Sequence, residues 1–471
     1  MSGIFGVVSK GECRDYLLYG TDYHSHLGTE YGGLAVLGET FERQIRNISQ
    51  SQFKSKFFEE FKDLKGNKGI GVISAFNEQP IYLNSKFGPF CVVTNGIIEN
   101  IQELAQELLT KGISFSEVGI SADLVNETEL IAKMITLEDD LISGIEKMFD
   151  KIIGSCSLLL LNRDGIYAAR DRYGYSPLII GNREDAWAVT SETNAFPNND
   201  FEITKFLKPG EIVLISENGI DQRRVGGDKN QICAFLWIYT GFPASSYEGI
   251  NAEVVRERCG RLLARRDKDI EVDLVSGVPD SGTAHGLGYA MESGKPFRRP
   301  LVKYTAGYGR SYTPPTQTIR DVIAKMKLIP IKEVIEGNRI VLCEDSIVRG
   351  TQLRNFTIKK LWDAGAKEIH VRPACPPLMF PCKFNFSTRT TSELAARKAI
   401  KGIEGEDIED VSEYVDSNSE KYQKMIDWIA RDLDVTTLRY QKLEDMVEAI
   451  GLPKDKLCLY CWTGEYLKPN I

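Results

Sequence analysis

Short apolar or alternating runs dominate the first 225 or so residues, among them Gly69-Ile-Gly-Val-Ile-Ser, Phe90-Cys-Val-Val-Thr and Ser155-Cys-Ser-Leu-Leu-Leu-Leu. This pattern predicts strands in sheets packed on each other, with helices outside. Gly210-Glu-Ile-Val-Leu-Ile-Ser closes this portion, and the polar stretch Arg223 to Gln231 reads as a linker. From Cys233 to about Ala374 strand and helix patterns alternate, as expected for a parallel α/β sheet. The chain therefore divides into residues 1–225 and 232–471, the second including a C-terminal tail. Ile400 to Tyr422, rich in Glu, Asp and Ser, reads as an exposed insertion. No internal repeat or low-complexity tract interrupts the chain.

One segment carries more chemistry than any other: Asn338-Arg-Ile-Val-Leu-Cys-Glu344-Asp345-Ser346-Ile347-Val348-Arg349-Gly350-Thr351. Ile340 to Leu342 reads as a buried parallel strand. Gln352 to Ala366 reads as the following helix, with Leu353, Phe356, Ile358, Leu361 and Trp362 at its apolar positions. The turn between them thus lies at a strand's carboxyl end, where open α/β sheets bind ligands. Its free N–H groups, with the hydroxyls of Ser346 and Thr351, suit a phosphate monoester. Glu344 and Asp345 suit the hydroxyls of a sugar; the plain alternative is an acidic strand end running into an ordinary turn. A second turn, Val278-Pro-Asp280-Ser281-Gly282, follows the apolar run Val272 to Val275 and could receive pyrophosphate through its N–H groups.

Composition narrows the class. At 471 residues with 42% apolar content, two cores can be filled. A net charge of −8, without a basic block or aromatic-interleaved cationic stripe, argues against nucleic acid. No run approaches membrane-spanning length, and no basic-then-apolar leader opens the chain, so a cytoplasmic protein without membrane association is expected. In that compartment the ten cysteines are not a disulfide framework. Cys458-Leu-Tyr-Cys461 could grip a metal, but two thiolates do not complete a tetrahedral shell. Cys13, Cys91, Cys156, Cys259 and Cys343 sit in apolar or helical surroundings and read as small core residues.

The 338–351 string closely resembles the 5-phosphoribosyl 1-diphosphate (PRPP) loop of type I phosphoribosyltransferases, and its Ser-Ile-Val-Arg-Gly-Thr core resembles the amidophosphoribosyltransferases in particular. That family makes phosphoribosylamine from PRPP and glutamine for purine synthesis. The resemblance implies PRPP contacts from Asp280, Ser281, Lys303, Lys327 and residues Glu344, Asp345, Ser346, Ile347, Val348, Arg349, Gly350 and Thr351. It implies a magnesium ion near Ser281, Glu344 and Asp345. Gly309-Arg310-Ser-Tyr, with Arg320 and Met326-Lys327-Leu, resembles the loop that closes over PRPP, where Arg310 would serve catalysis. The family usually has Lys-Asn-Arg-Tyr where this chain has Lys303-Tyr304-Thr305-Ala306, so grip or acceptor choice differs. In the iron-sulfur branch, cysteines occupy contexts similar to those of Cys233, Cys382, Cys458 and Cys461, implying a 4Fe-4S cluster on these four. A zinc site or reduced thiols are the other readings, and Cys375 is a competing ligand.

Gly3-Ile-Phe-Gly-Val-Val, Thr94-Asn95-Gly96-Ile-Ile-Glu-Asn100, Arg170-Asp171-Arg-Tyr-Gly174 and Ser191-Glu192-Thr are similar to the family's N-terminal-nucleophile, class II glutaminase. The fold implied is a sandwich of antiparallel sheets with helices, followed by a parallel α/β phosphoribosyltransferase domain. Asn95 and Gly96 keep the look of an oxyanion hole, yet also suit a strand-to-loop turn. The catalytic parts are altered. Ser2 stands where active members expose a cysteine after methionine removal, and a hydroxyl is a poorer nucleophile without strong activation. His26-Leu27-Gly28-Thr29-Glu30 replaces the family's His-Arg-Gly-Gln-acid, so its arginine is lost to Leu27. The His-x-Arg-Tyr-x-Thr segment that holds the glutamine carboxylate is replaced by Gly71-Val-Ile-Ser-Ala-Phe-Asn77, and the acidic position survives only as Glu127.

The expected activity is transfer of an amine, ammonia first, to C1 of PRPP with a silent glutaminase half. A different amine acceptor, a PRPP or redox sensor without turnover, and Ser2 acting as an N-terminal serine nucleophile are the alternatives. PRPP and an amine donor are the expected partners, in a homo-oligomer, dimer or tetramer.

Overall fold

The computed structural model describes residues 2–117, 125–304, 327–385 and 390–467. Two antiparallel sheets form the N-terminal part. The first runs Glu202–Phe206, Ile179–Arg183, Ala186–Thr190, Gly3–Ser9, Lys68–Ser74, Tyr31–Leu37, Phe41–Asn47. The second runs Gly219–Arg224, Ile212–Ser216, Gly165–Ala169, Gly154–Asn162, Gly88–Ile98, Ile81–Ser85. Their facing sides interdigitate through Ile4, Val8, Val72, Val93, Leu159 and Val213, all buried. Helices Arg14–Asp22 and Glu127–Ile135 cover the outer faces, so strands such as Gly3–Ser9 are buried on both sides and read as continuous apolar runs.

The C-terminal part is built on a four-stranded parallel sheet in the order Leu274–Gly277, Arg339–Glu344, Glu368–Pro373, Thr437–Leu438. Helices Ala252–Arg265 and Thr283–Ser293 pack on one face, and Ala395–Glu404 and Glu420–Leu433 on the other. Leu301–Lys303 and Leu328–Pro330 make a separate antiparallel pair. Among the described residues no helix is long and apolar enough to cross a membrane.

Three expectations need adjustment. The 400–422 segment is mostly exposed but not a free loop: Ile400, Val411 and Tyr414 are buried in the transferase core, while Lys421 pairs with Glu404 and Glu413 on the outside. Apolar anchors spaced among many charges make a half-buried helical layer, and composition alone averages the two faces. Arg223 and Arg224 are not linker but the end of the strand Gly219–Arg224, held by pairing to Ile212 and an Arg224–Glu146 ion pair of 2.6 Å. The helix after Thr351 opens as wide π-type turns over Leu353–Ile358 before the regular turns of Lys359–Asp363.

Candidate active site

Strands Leu274–Gly277 and Arg339–Glu344 lie side by side with Gly277 opposite Cys343, so the turns leaving their carboxyl ends meet. A Cβ at Gly282 would collide with the Cys343 carbonyl oxygen, which is why the Ser281-Gly282 turn can seat against the neighbouring strand only with glycine there. Ser281 Oγ donates to Glu344 Oε1 at 2.6 Å, and the Asp345 N–H donates to the same oxygen at 3.0 Å. Ser346 Oγ donates to Asp345 Oδ2 at 2.6 Å. Both carboxyl groups are buried. Burial and then the Asp345 charge push Glu344 well above the usual carboxylate range, and burial likewise raises Asp345. Two adjacent buried acids disfavour double ionisation.

The rest of the loop is fixed from below and open above. Ile347 is buried, Val348 accepts from the Ala395 N–H at 2.7 Å, and exposed Arg349 reaches Glu393 at 2.9 Å. Gly350 turns the chain at φ +76°, and Thr351 is exposed. Lys303 Nζ sits 2.6 Å from Asp280 Oδ2 at the rim. Lys327 lies near both, its pKa lowered by burial and by Lys303. Arg310, Arg320 and Met326 lie outside the described residues.

Sequence reasoning missed Arg256. Its guanidinium is buried and donates to the carbonyls of Trp237 (2.8 Å), Tyr239 (3.1 Å) and Gly241 (2.6 Å). Burial lowers its pKa, while the charges of Asp345, Tyr247, Glu253 and Glu192 oppose that shift. One cation therefore interacts electrostatically with both Asp345 of the transferase turn and Glu192 of the N-terminal part. The available signal was an arginine at a core-facing position of Ala252–Arg265, between Val255 and Cys259.

In the N-terminal part Ser2 is buried; its N–H donates to Asn95 Oδ1 at 3.2 Å, and its Oγ lies 3.5 Å from the Ala75 nitrogen. Gly96 has φ +147°, and a Cβ there would strike the Ser155 carbonyl oxygen, so strand pairing by itself demands glycine at this position. Leu27 stands beside His26, whose Nε2 lies 2.8 Å from the fully buried Glu192. Tyr247 donates to the other Glu192 oxygen at 2.5 Å, tying this carboxylate to the transferase part. Neighbouring His24 contacts the Gly20 carbonyl and Thr190 Oγ1, both at 2.9 Å, and burial lowers its pKa to about 4. Glu127 opens the helix Glu127–Ile135, away from full burial.

The four cysteines come together. Cys233 and Cys458 are register partners in a short parallel pair, and the Cys461 carbonyl accepts from Met379 and Phe380, bringing the turn that carries Cys382 alongside. Cys461 donates to Cys382, lowering the Cys382 thiol to about 7 and raising its own pKa; Cys233 and Cys458 are raised by burial and then by cysteine neighbours. Among the described residues no three thiol, imidazole or carboxylate groups are gathered as ligands of one metal ion. Cys375 is fully buried, with Asp345, Cys259 and the Trp462 side chain, next to Cys461, as neighbours. Cys13, Cys91, Cys156, Cys259 and Cys343 are all buried, with burial raising each thiol, as small core residues do.

These parts define a class: an N-terminal-nucleophile glutaminase-type sandwich joined to a type I phosphoribosyltransferase sheet. A glutamine amidotransferase domain family matches residues 69–198. The chain is 32% identical over 494 residues to the amidophosphoribosyltransferase of Methanocaldococcus jannaschii, covering 99% of this chain and 97% of that one. It is 30% identical to that of Bacillus subtilis, covering 98% and 93%. The solved B. subtilis glutamine PRPP amidotransferase, complexed with ADP and GMP, superposes with a TM-score of 0.83 at 29% identity, covering 98% of this chain and 97% of that one. A second structure, of the allosteric regulatory enzyme of purine biosynthesis, gives 0.84. The chain belongs to the amidophosphoribosyltransferase family, a group of phosphoribosyltransferases.

Proposed function

We propose that this chain transfers an amine, ammonia in the first instance, to C1 of PRPP with release of pyrophosphate, giving 5-phosphoribosylamine for purine synthesis, and that its glutaminase half is silent. The observation that carries the reading is the contrast between two sites: Ser281, Glu344, Asp345 and Ser346 are assembled and mutually bonded, whereas Ser2 has Asn95 as partner and Leu27 where an arginine would stand. The proposed domains are residues 1–225 and 232–471.

Glu344 and Asp345 would orient the ribose hydroxyls and favour positive charge developing on the ring, while Ser281 holds Glu344 in place. Lys303 and Lys327 at the rim would offset charge on departing pyrophosphate, and Ser346 to Thr351 would cradle the 5-phosphate. The oxygen donors Ser281, Glu344 and Asp345, bonded to one another at the two strand ends, fit a hard cation. Magnesium, held there with PRPP oxygens, would supply charge neutralisation on the leaving pyrophosphate.

The thiols of Cys233, Cys382, Cys458 and Cys461 are neighbours of one another and have the donor chemistry of a 4Fe-4S cluster, in which each thiolate binds its own iron. A cluster there would tie the C-terminal tail to the start and end of the transferase sheet.

The test is pyrophosphate release from PRPP and magnesium by anaerobically purified protein with ammonium, glutamine or no amine, with product identified by mass. Turnover with ammonium and none with glutamine is expected; equal turnover with both would return the glutaminase role to Ser2. A different amine acceptor is favoured by the Lys303-Tyr304 region, where Lys303 is engaged by Asp280 and Tyr304 is exposed; silence with ammonium but turnover with another amine would support it.

A further inference from the structure

Asn385 joins the cysteine site to the N-terminal sandwich. It is 3% exposed. Its Oδ1 accepts from Ser176 Oγ at 3.1 Å, across 209 residues of sequence, and its backbone N–H donates to Cys382 Sγ at 3.3 Å. The Ser176 contact sets the orientation of the carboxamide, because a hydroxyl held by the amide oxygen leaves the NH2 facing the other way. That buried Nδ2 has no partner of full hydrogen-bond geometry among the described residues. The group it faces is the thiol of Cys233, whose backbone N–H is held by Tyr175, the neighbour of Ser176. A buried donor left unpaired is costly, so its persistence points to an acceptor in the loaded protein.

The surroundings repeat the theme. Phe384 stacks on Tyr175 at 3.9 Å and 8°, and Cys233 donates its N–H to the Tyr175 carbonyl at 3.2 Å. Ser176 is itself anchored, its N–H donating to the buried Asp171 at 3.0 Å. The Tyr175-Ser176 turn therefore holds the Cys382 segment in place from the opposite domain.

We infer that Asn385, oriented by Ser176, is a positioning residue for the iron-sulfur centre: its carboxamide donates to the Cys233 thiolate and couples the state of the cluster to the N-terminal domain. This rests on the cluster reading above. A hydrogen bond to a ligand sulfur stabilises the more negative, reduced cluster and so raises its potential. The backbone donor to Cys382 survives any side-chain change, which isolates the effect at Cys233.

The test uses full-length protein purified anaerobically as wild type, Asn385→Ala and Ser176→Ala, each checked for iron, sulfide and circular dichroism before a dithionite titration followed by electron paramagnetic resonance. The expected result is a shift of the midpoint potential to more negative values in Asn385→Ala and a smaller shift of the same sign in Ser176→Ala, which touches no cysteine. Faster bleaching in air should accompany both. Wild type with cluster and unshifted potentials in both variants overturns the inference alone, and Ser176→Ala decides it if Asn385→Ala does not fold. Wild type without iron and sulfide overturns the cluster reading and this inference together.

Discussion

Ser281 and Glu344, 63 residues apart and placed at the carboxyl ends of neighbouring parallel strands, share a 2.6 Å hydrogen bond that assembles the transferase turn from two loops. Ser281→Ala removes one of the two donors to Glu344 Oε1. With magnesium bound Glu344 would be a charged carboxylate, and loss of a hydrogen bond to a charged group costs about 1.5–3 kcal/mol, so binding of magnesium PRPP should weaken roughly 10- to 100-fold. Calorimetric titration checks this, and unchanged affinity would remove Ser281 from the site.

The carboxyl pair predicts an inverted stability effect. Because the folded pKa of Glu344 is raised, its contribution to stability is fully present below the ordinary carboxylate range and is lost as pH rises. Glu344→Gln should therefore raise the melting temperature of ligand-free protein at neutral pH, by about 2–4 °C per kcal/mol gained, while abolishing PRPP turnover. The gain should shrink as pH falls towards 4.5, the ordinary value for this side chain. Melting curves at several pH values check the sign; a lower melting temperature at neutral pH would contradict it.

His24 titrates in the opposite sense. Its folded pKa is lowered to about 4 from 6.5, so stability is lost as pH falls through that window, by up to about 1.4 kcal/mol per pH unit for one proton. The urea midpoint of wild type should drop between these pH values, and the drop should be smaller in His24→Gln. Equal slopes would mean that another group governs acid sensitivity.

For the N-terminal site, restoring the thiol is not expected to restore the reaction. Ser2→Cys still lacks a cation opposite the glutamine carboxylate, because the segment whose arginine would hold it remains Gly71 to Asn77, and a lost arginine–carboxylate pair is costly by itself. Glutamate release from glutamine should stay at background in Ser2→Cys. Appreciable release would mean that the pocket holds glutamine by other groups.

Gly96 separates architecture from chemistry. With φ +147° and the Ser155 carbonyl where a Cβ would go, Gly96→Ala should reduce soluble yield and melting temperature. A well-folded variant with intact ammonium-dependent turnover would show that the strand pair tolerates the side chain.

Much was legible in the chain because the informative residues are contiguous. The stretch Asn338 to Thr351 declares its own strand, acids and turn, and the structure returns a buried parallel strand at Arg339–Glu344 followed by that turn. The sheets of the N-terminal sandwich were legible for a similar reason, since continuous apolar runs leave few arrangements other than strands covered on both faces. The 400–422 segment was misread because its apolar anchors are diluted by charge, and only packing distinguishes a half-buried helical layer from a loop.

The sequence by itself determined which residue types are present and which are missing: an intact acidic turn, four cysteines in separate contexts, a serine at position 2 and a leucine at 27. Tertiary structure decided which of them meet. The His26–Glu192–Tyr247 contacts, the electrostatic interaction of Arg256 with both Asp345 and Glu192 and the hold of Ser176 on Asn385 all join residues far apart in the chain. Hydrogen bonds and burial depend on distances in space, which spacing along the chain encodes only within a single turn, strand or helix.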